Sequence, residues 1–206
     1  MADKEKLFIE ILRNKTVEEF TKDAAKIGSK VDVGSICAQT AALSSALFYR
    51  AAEICRTAVG ESDESDYLVR NAEILRSYMV NLIDEDVKSR GPLRMALREG
   101  DQKKIEAAYQ PASCISIEII SMMITELELI DKLLDNCSED MVFNALESAE
   151  LAMSTIYVAR YNVLSMSRKC TDETYRYVSR RENELSCSRA EELIASIRAK
   201  AQKYLK

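Results

Sequence analysis

The sequence predicts an all-α fold, a multi-helix bundle with a buried central helix rich in Ala and Ser. Three observations predict it. The chain is 47% hydrophobic yet holds only 5 Gly and 2 Pro among 206 residues, so long runs pass between breakers. Apolar residues within those runs recur at three- and four-residue steps. The stretch GSICAQTAALSSALFY, residues 34–49, carries no charge in a chain that is 31% charged. A helix that is small or apolar on every side has no face to give to water, so its neighbours must enclose it.

Taken in order, residues 3–13 read as a short amphipathic helix with Leu7, Phe8, Ile11 and Leu12 on one side. Thr16 with Glu19 makes a capping box that opens a helix from Val17 to about Ile27, ended by Gly28. The central helix starts near Gly34 and reaches Gly60, a natural stop, with a wet side only in its second half. The polar segment ESDESD leads into a helix from about Ser65 to Ser89, whose stripe is Leu68, Ala72, Leu75, Met79 and Leu82. Gly91-Pro92 breaks it, and a short turn or helix from Leu93 to Arg98 follows. The next helix starts near Asp101, with a kink or restart expected at Pro111. Beyond Pro111, Ile120, Met123, Leu127, Ile130 and Leu134 form a core stripe; Glu118, a lone charge there, is assigned to a wet edge. After a polar loop at 135–139, capped by Ser138, a helix runs to about Lys169 on Val142, Leu146, Ala149, Met153, Ile156 and Val163. Thr171-Asp172 caps the last long helix, which reaches about Tyr204.

The length suits one domain over residues 1–206, large enough to bury a core without staples. A net charge of -5 with no long block of one sign argues against a nucleic-acid footprint. The uncharged run is too short and too rich in hydroxyls to span a bilayer, and residues 1–14 lack a signal-peptide core, so a cytoplasmic protein is expected. Six scattered Cys without a CxxC read as reduced core thiols. The chain has no histidine. That removes His-based acid-base and nucleophile systems, zinc hydrolase sites and haem ligation, and no metal site is expected. Proton transfer here falls to carboxylates, Lys, Tyr or Cys.

Two places carry candidate functional residues. Asp86 stands at the next position of the Leu68–Leu82 stripe, where the helix either leaves the core or holds an acid in a low-dielectric pocket. A helix start inside a core presents free N–H groups and a positive dipole end. The start of the central helix, with Lys30, Asp32, Gly34 and Ser35, is therefore either a site for an anion or polar ligand or a helix simply capped by Asp32. Arg160 interrupts an apolar face much as Asp86 does, as a ligand contact or as a structural salt-bridge partner. Asn162, one position round from that stripe, is a ligand contact or a hydrogen bond between helices.

The order of these features resembles the formiminotetrahydrofolate cyclodeaminase and methenyltetrahydrofolate cyclohydrolase family over nearly the whole chain. An early helix with Glu19-Phe20 leads to a turn, a Gly-, Ala- and Ser-rich helix, a long helix carrying Asp86, and Glu106-Ala107-Ala108 before Pro111. Ala149-Glu150-Leu151, Asn162-Val163 and Thr171-Asp172-Glu173-Thr174 follow at similar spacing. The chain departs from the family where Ser29 to Gly34 keeps one glycine of a three-glycine turn, at Phe143-Asn144 in place of Ser-Asp, and at Met166 in place of a second Asn.

The resemblance implies a helical homodimer that binds a reduced folate between helices, as substrate and with no prosthetic group. In that reading Asp86 is general acid or base, Asn162 orients the substrate, and Arg160 or Lys30 meets a folate carboxylate, with Asp32, Gly34 and Ser35 lining the site. The departures leave a second reading open, a diverged helical dimer that has kept the fold as a binding or structural protein.

Overall fold

Five long helices alternate in direction around one apolar core. The computed structural model describes residues 11–136 and 139–205, in which the helices are α1 (Val17–Ala24), α2 (Val33–Val59), α3 (Asp63–Ser89), α4 (Gly91–Glu99), α5 (Gln102–Leu133), α6 (Glu139–Ser167) and α7 (Glu173–Ala201). Short 3₁₀ turns lie at Leu12–Asn14, Leu134–Asn136 and Gln202–Tyr204, and there is no strand among the described residues. The expected helix over residues 3–13, with Leu7 and Phe8, and the expected cap at Ser138 lie in whole or in part outside the described residues. Within them, Ile11 is extended and only the 3₁₀ turn follows it.

Side-chain pairings give the directions. Ser35 meets Asp86 while Arg56 meets Asp66, so α2 and α3 are antiparallel. Glu64 with Lys132 and Tyr78 with Glu118 make α3 and α5 antiparallel; Ser116 with Asn162 and Glu126 with Ser148 do the same for α5 and α6. Tyr157 with Glu191 and Glu150 with Arg198 turn α7 back again. The N-termini of α2, α5 and α7 therefore gather at one end of the bundle with the C-termini of α3 and α6. Three positive dipole ends meet there.

The caps follow local sequence. Thr16 and Glu19 form the expected capping box of α1, which ends at Ala24, three residues before the predicted Ile27. Ser62 with Ser65 makes a second such box and starts α3 at Asp63, earlier than its apolar stripe suggests. Asp101 caps α5 through the N–H groups of Lys103 and Lys104, and Asp172 caps α7 through Tyr175 N. Pro111 does not break α5. Its missing N–H would have served the carbonyl of Ala107, and both residues are exposed, so water can take that carbonyl.

The core is fully closed at Phe48, Met79, Ile119, Met123, Leu127, Ile130, Met141 and Ile156, each under 2% exposed. In α2, Ala38, Ala41, Ser44, Ser45, Phe48 and Ala51 are 0% exposed, which is the central role its composition predicts. The enclosure is incomplete in the first half, contrary to expectation, because Ile36 is 37% and Leu43 58% exposed. Leu43 of this strip lines a cleft with Leu12 and with Phe20 of α1, which approach it without covering it. Among the cysteines, Cys37, Cys55, Cys170 and Cys187 are buried and in no disulfide, as expected, but Cys114 is exposed on α5, and Cys137 lies outside the described residues. Among the described residues no helix is long and apolar enough to cross a membrane.

Candidate functional site

The start of α2 is built by two carboxylates from different helices. Asp32, the N-cap, accepts from Val33 N at 2.7 Å, which is the first N–H of the helix and not the second or third that a cap side chain ordinarily takes. The third, Ser35 N, is taken by Asp86, which lies 51 residues away on α3 and accepts it at 2.9 Å through Oδ2. Ser35 Oγ lies 3.0 Å from the same Oδ2 and 3.0 Å from the carbonyl of Ile83. Asp86 thus caps α2 in trans and ties the end of α3 to the beginning of α2.

That approach needs Gly34. A β-carbon at Gly34 would stand 2.0 Å from Asp86 Oδ1 and 2.5 Å from its Cγ, so no other residue fits beneath this carboxyl. Asp86 is 0% exposed, and its Oδ1 is buried with no hydrogen-bond partner. Burial raises the affinity of its carboxyl for a proton; the Arg90 charge and the Ser35 hydroxyl work the other way, and Asp32 adds to the rise.

Arg90, one turn after Asp86, is buried and holds Asp32 Oδ2 at 2.9 Å, while its Nη1 is buried without a partner. Arg94 follows on α4. Its guanidinium donates to the carbonyls of Val87 and, at 3.4 Å, Lys30, and both burial and the neighbouring Arg90 lower its proton affinity. Cys37, one turn into α2, is no nucleophile, since burial pushes its thiol up to about 12 with a further rise from Asp86.

The residues singled out in the sequence therefore divide. Asp86, Gly34, Ser35 and Asp32 form one contiguous site. Lys30 is exposed and joins it through its backbone carbonyl. Asn162 lies on the same end of the bundle, 5% exposed, where its Nδ2 donates to Ser116 Oγ of α5 at 2.8 Å. Arg160 is half-buried and acts on Cys187 of α7; the charged groups acting on Asp86 are Arg90 and Asp32, so Arg160 is not its ion-pair partner.

Two motifs from the family resemblance also meet, since Glu106 Oε1 accepts from the N–H and the hydroxyl of Thr171. The Ser29–Val33 segment contains no residue of positive φ, so its valines fit without strain, and Val31 is buried in the core. Met166 packs in a small apolar cluster with Leu93, Ala96, Ile105, Ala108 and Ala112, which has no use for an amide at that position.

Sequence reasoning missed several residues. Arg90 lay at a helix end, where an arginine usually serves only solvent. Asp84 is buried and accepts from Leu12 N at 2.7 Å while meeting Arg13 at 3.2 Å. Glu126, passed over, is 0% exposed. Its signal was present: Ile119, Met123, Glu126, Ile130 and Leu133 recur at helical steps, so a carboxylate stands inside the most buried face of α5. A cleft of about 550 Å³ between the end of α6 and the start of α7 brings together Arg168, Arg176 and Arg180 at this same end. Among the described residues there is no cluster of three or more potential metal-ligating side chains.

Comparison with known proteins places this geometry in context. No curated protein matches the chain. Among solved structures, a formiminotetrahydrofolate cyclodeaminase from Thermotoga maritima is similar in fold, with a TM-score of 0.86 at 19% identity, covering 95% of this chain and 100% of that one. The family model described as formiminotransferase-cyclodeaminase matches residues 16–185, and the chain belongs to that family.

Proposed function

We propose that this chain binds a reduced folate and acts on its one-carbon unit in the manner of a formiminotetrahydrofolate cyclodeaminase or methenyltetrahydrofolate cyclohydrolase, with Asp86 as the proton-transferring group. The observation that carries this reading is the Asp86 carboxyl itself. It is wholly buried, is raised in proton affinity, keeps one oxygen unused, and rests on a glycine that leaves room for nothing else. A carboxylic acid that holds its proton above the usual carboxylate range can give it to a departing ammonia, or as carboxylate take one from attacking water.

The remaining roles follow from placement. The positive end of α2 favours the ionised form of Asp86 as its proton leaves, and Ser35 keeps the carboxyl in one orientation. Asn162, whose Nδ2 is held by Ser116, is the residue that orients the substrate in this reading. Lys30, Arg160 and the arginine cleft at the end of α6 are the cations available to folate carboxylates. Asp32 and Gly34 complete the lining. In this reading the chain is one cytoplasmic domain, a homodimer with no prosthetic group and no nucleic-acid partner.

The alternative is a diverged helical dimer that binds or scaffolds without catalysis. What favours it is the same burial, because a trans cap that touches no solvent also has a sufficient structural reason to exist. Titrating the purified protein with 5,10-methenyltetrahydrofolate separates the two. Binding together with loss of the methenyl absorbance on ring opening supports the enzyme; binding alone supports the diverged protein, and no binding removes folate from both.

A further inference from the structure

Glu126 lies at the crossing of α2, α5 and α6, remote from the α2 start, and three serines surround it. Ser44 Oγ lies 2.5 Å from its Oε1, Ser148 Oγ 3.1 Å from the same oxygen, and Ser45 Oγ contacts Oε2. Two of these hydroxyls are also committed elsewhere: Ser44 Oγ is 2.7 Å from the carbonyl of Ser148, and Ser148 Oγ is 2.9 Å from the carbonyl of Ser44. Carbonyl and carboxylate oxygens can only accept. If Glu126 were ionised, these five contacts would share three hydroxyl protons, and two close oxygen pairs would face each other with no hydrogen between them.

One added proton resolves the count. With it on Oε1, Glu126 donates to Ser44 Oγ, Ser44 donates to the Ser148 carbonyl, Ser148 to the Ser44 carbonyl, and Ser45 to Oε2. Each of the four shorter contacts then holds one hydrogen. The 3.1 Å pair, and a 3.3 Å pair between Ser44 Oγ and Ser148 Oγ, are the longest and are left without.

We propose that Glu126 is a neutral carboxylic acid that donates to Ser44 and completes this network, locking α2 to α5 and α6, and that its ionisation is a built-in release of the central helix. The groups turned toward it are Ser44 and Ser45 from α2 and Ser148 from α6, and no charged side chain among the described residues acts on it from any packed helix. No opposite charge therefore compensates a negative charge there. Burial is the cause that raises its proton affinity, to about 7, with the three serines opposing. The sign follows. A group whose folded value exceeds its ordinary value of 4.5 contributes stability that is full below that ordinary value and is lost as pH rises through about 7.

The test is Glu126→Gln, which keeps the shape of the neutral acid, with an N–H to give Ser44 and a carbonyl to accept from Ser45. Thermal unfolding is followed between pH 5 and 8 for both proteins. The expected result is near-equal stability at pH 5, a decline in the wild type from there to about pH 7 that levels off by pH 8, and a weaker decline in the variant. Equal declines, or a variant less stable throughout, would overturn the proposal.

Should Glu126→Gln fail to fold, carbon-detected NMR of the labelled wild type decides. Glutamate carboxyl carbons resonate apart from those of aspartate, so Asp86 does not confuse the reading. One glutamate titrating near neutrality is expected, and none would end the assignment. Neither readout depends on folate, so this inference can fail without affecting the proposed function.

Discussion

Gly34 and Asp86 form a contact that admits no side chain: the carboxyl of α3 lies against the bare Cα of α2, where an added β-carbon would sit 2.0 Å from Oδ1. Gly34→Ala must push Asp86 off Ser35 N or shift α2 against α3. A loss of about 1–3 kcal/mol is expected, as for an overpacked core. Urea unfolding measures it, and a stability equal to wild type would show that the carboxyl has room to move.

Asp86→Asn separates chemistry from capping. The amide oxygen can still accept from Ser35, so folding should change little, whereas a catalytic Asp86 would lose on the order of a hundredfold or more in turnover. Steady-state rates with a methenyl or formimino folate read the first, and denaturant midpoints the second. Undiminished turnover in a well-folded variant would end the catalytic role.

The pH dependence of Asp86 has a definite sign. Its folded proton affinity is raised by burial, so the stability it contributes is full below the ordinary carboxylate value and is lost as pH rises through its raised value. Turnover that uses its proton should fall over the same window, while Asp86→Asn should lose this share of both changes and keep the decline that belongs to Glu126. Parallel pH profiles of unfolding and rate check both.

Arg90→Met removes the cation that steadies Asp32 at the mouth of α2. A fully buried pair broken on one side costs about 3–5 kcal/mol. Here Asp32 keeps a side-chain exposure of 33%, so water takes up part of the loss and about 1–3 kcal/mol is expected. Denaturant unfolding of the variant reads this directly. The variant should also raise the proton affinity of Asp86 further, since the Arg90 charge is the main influence lowering it, and the Asp86 carboxyl carbon in an NMR titration reports that shift.

Much of the fold was legible because it rests on local signals. Thr16 with Glu19, Asp172, Gly60 and the three- and four-residue stripes each fix an element without knowledge of any other. Asp86 was legible for a different reason, as a charge standing where an apolar residue was due. Its partner was not, because Arg160 and Ser35 are equally plausible at a distance of many residues and only packing chooses between them. Glu126 escaped for the opposite reason: the stripe read for α5, Ile120, Met123, Leu127, Ile130 and Leu134, passes beside it, and serines on two other helices do not announce a carboxyl. The exposed strip at Ile36 and Leu43 could not be foreseen, since hydropathy says that a face avoids water and not how many neighbours are present to cover it.

The connection between α2 and α3 bears on the order in which the molecule assembles. Two 27-residue helices are joined by residues 60–62 alone, so their antiparallel pairing costs little loop entropy and can form early. The Ser44–Ser148 contact closes a separation of 104 residues and has to wait for α6 to return across the bundle. The hairpin brings Asp86 to Ser35 on its own, before the rest of the core is closed. The end of the molecule with the candidate site is thus set by the fastest-forming part of the chain, and the slow step is the arrival of the helix that buries the other side of α2.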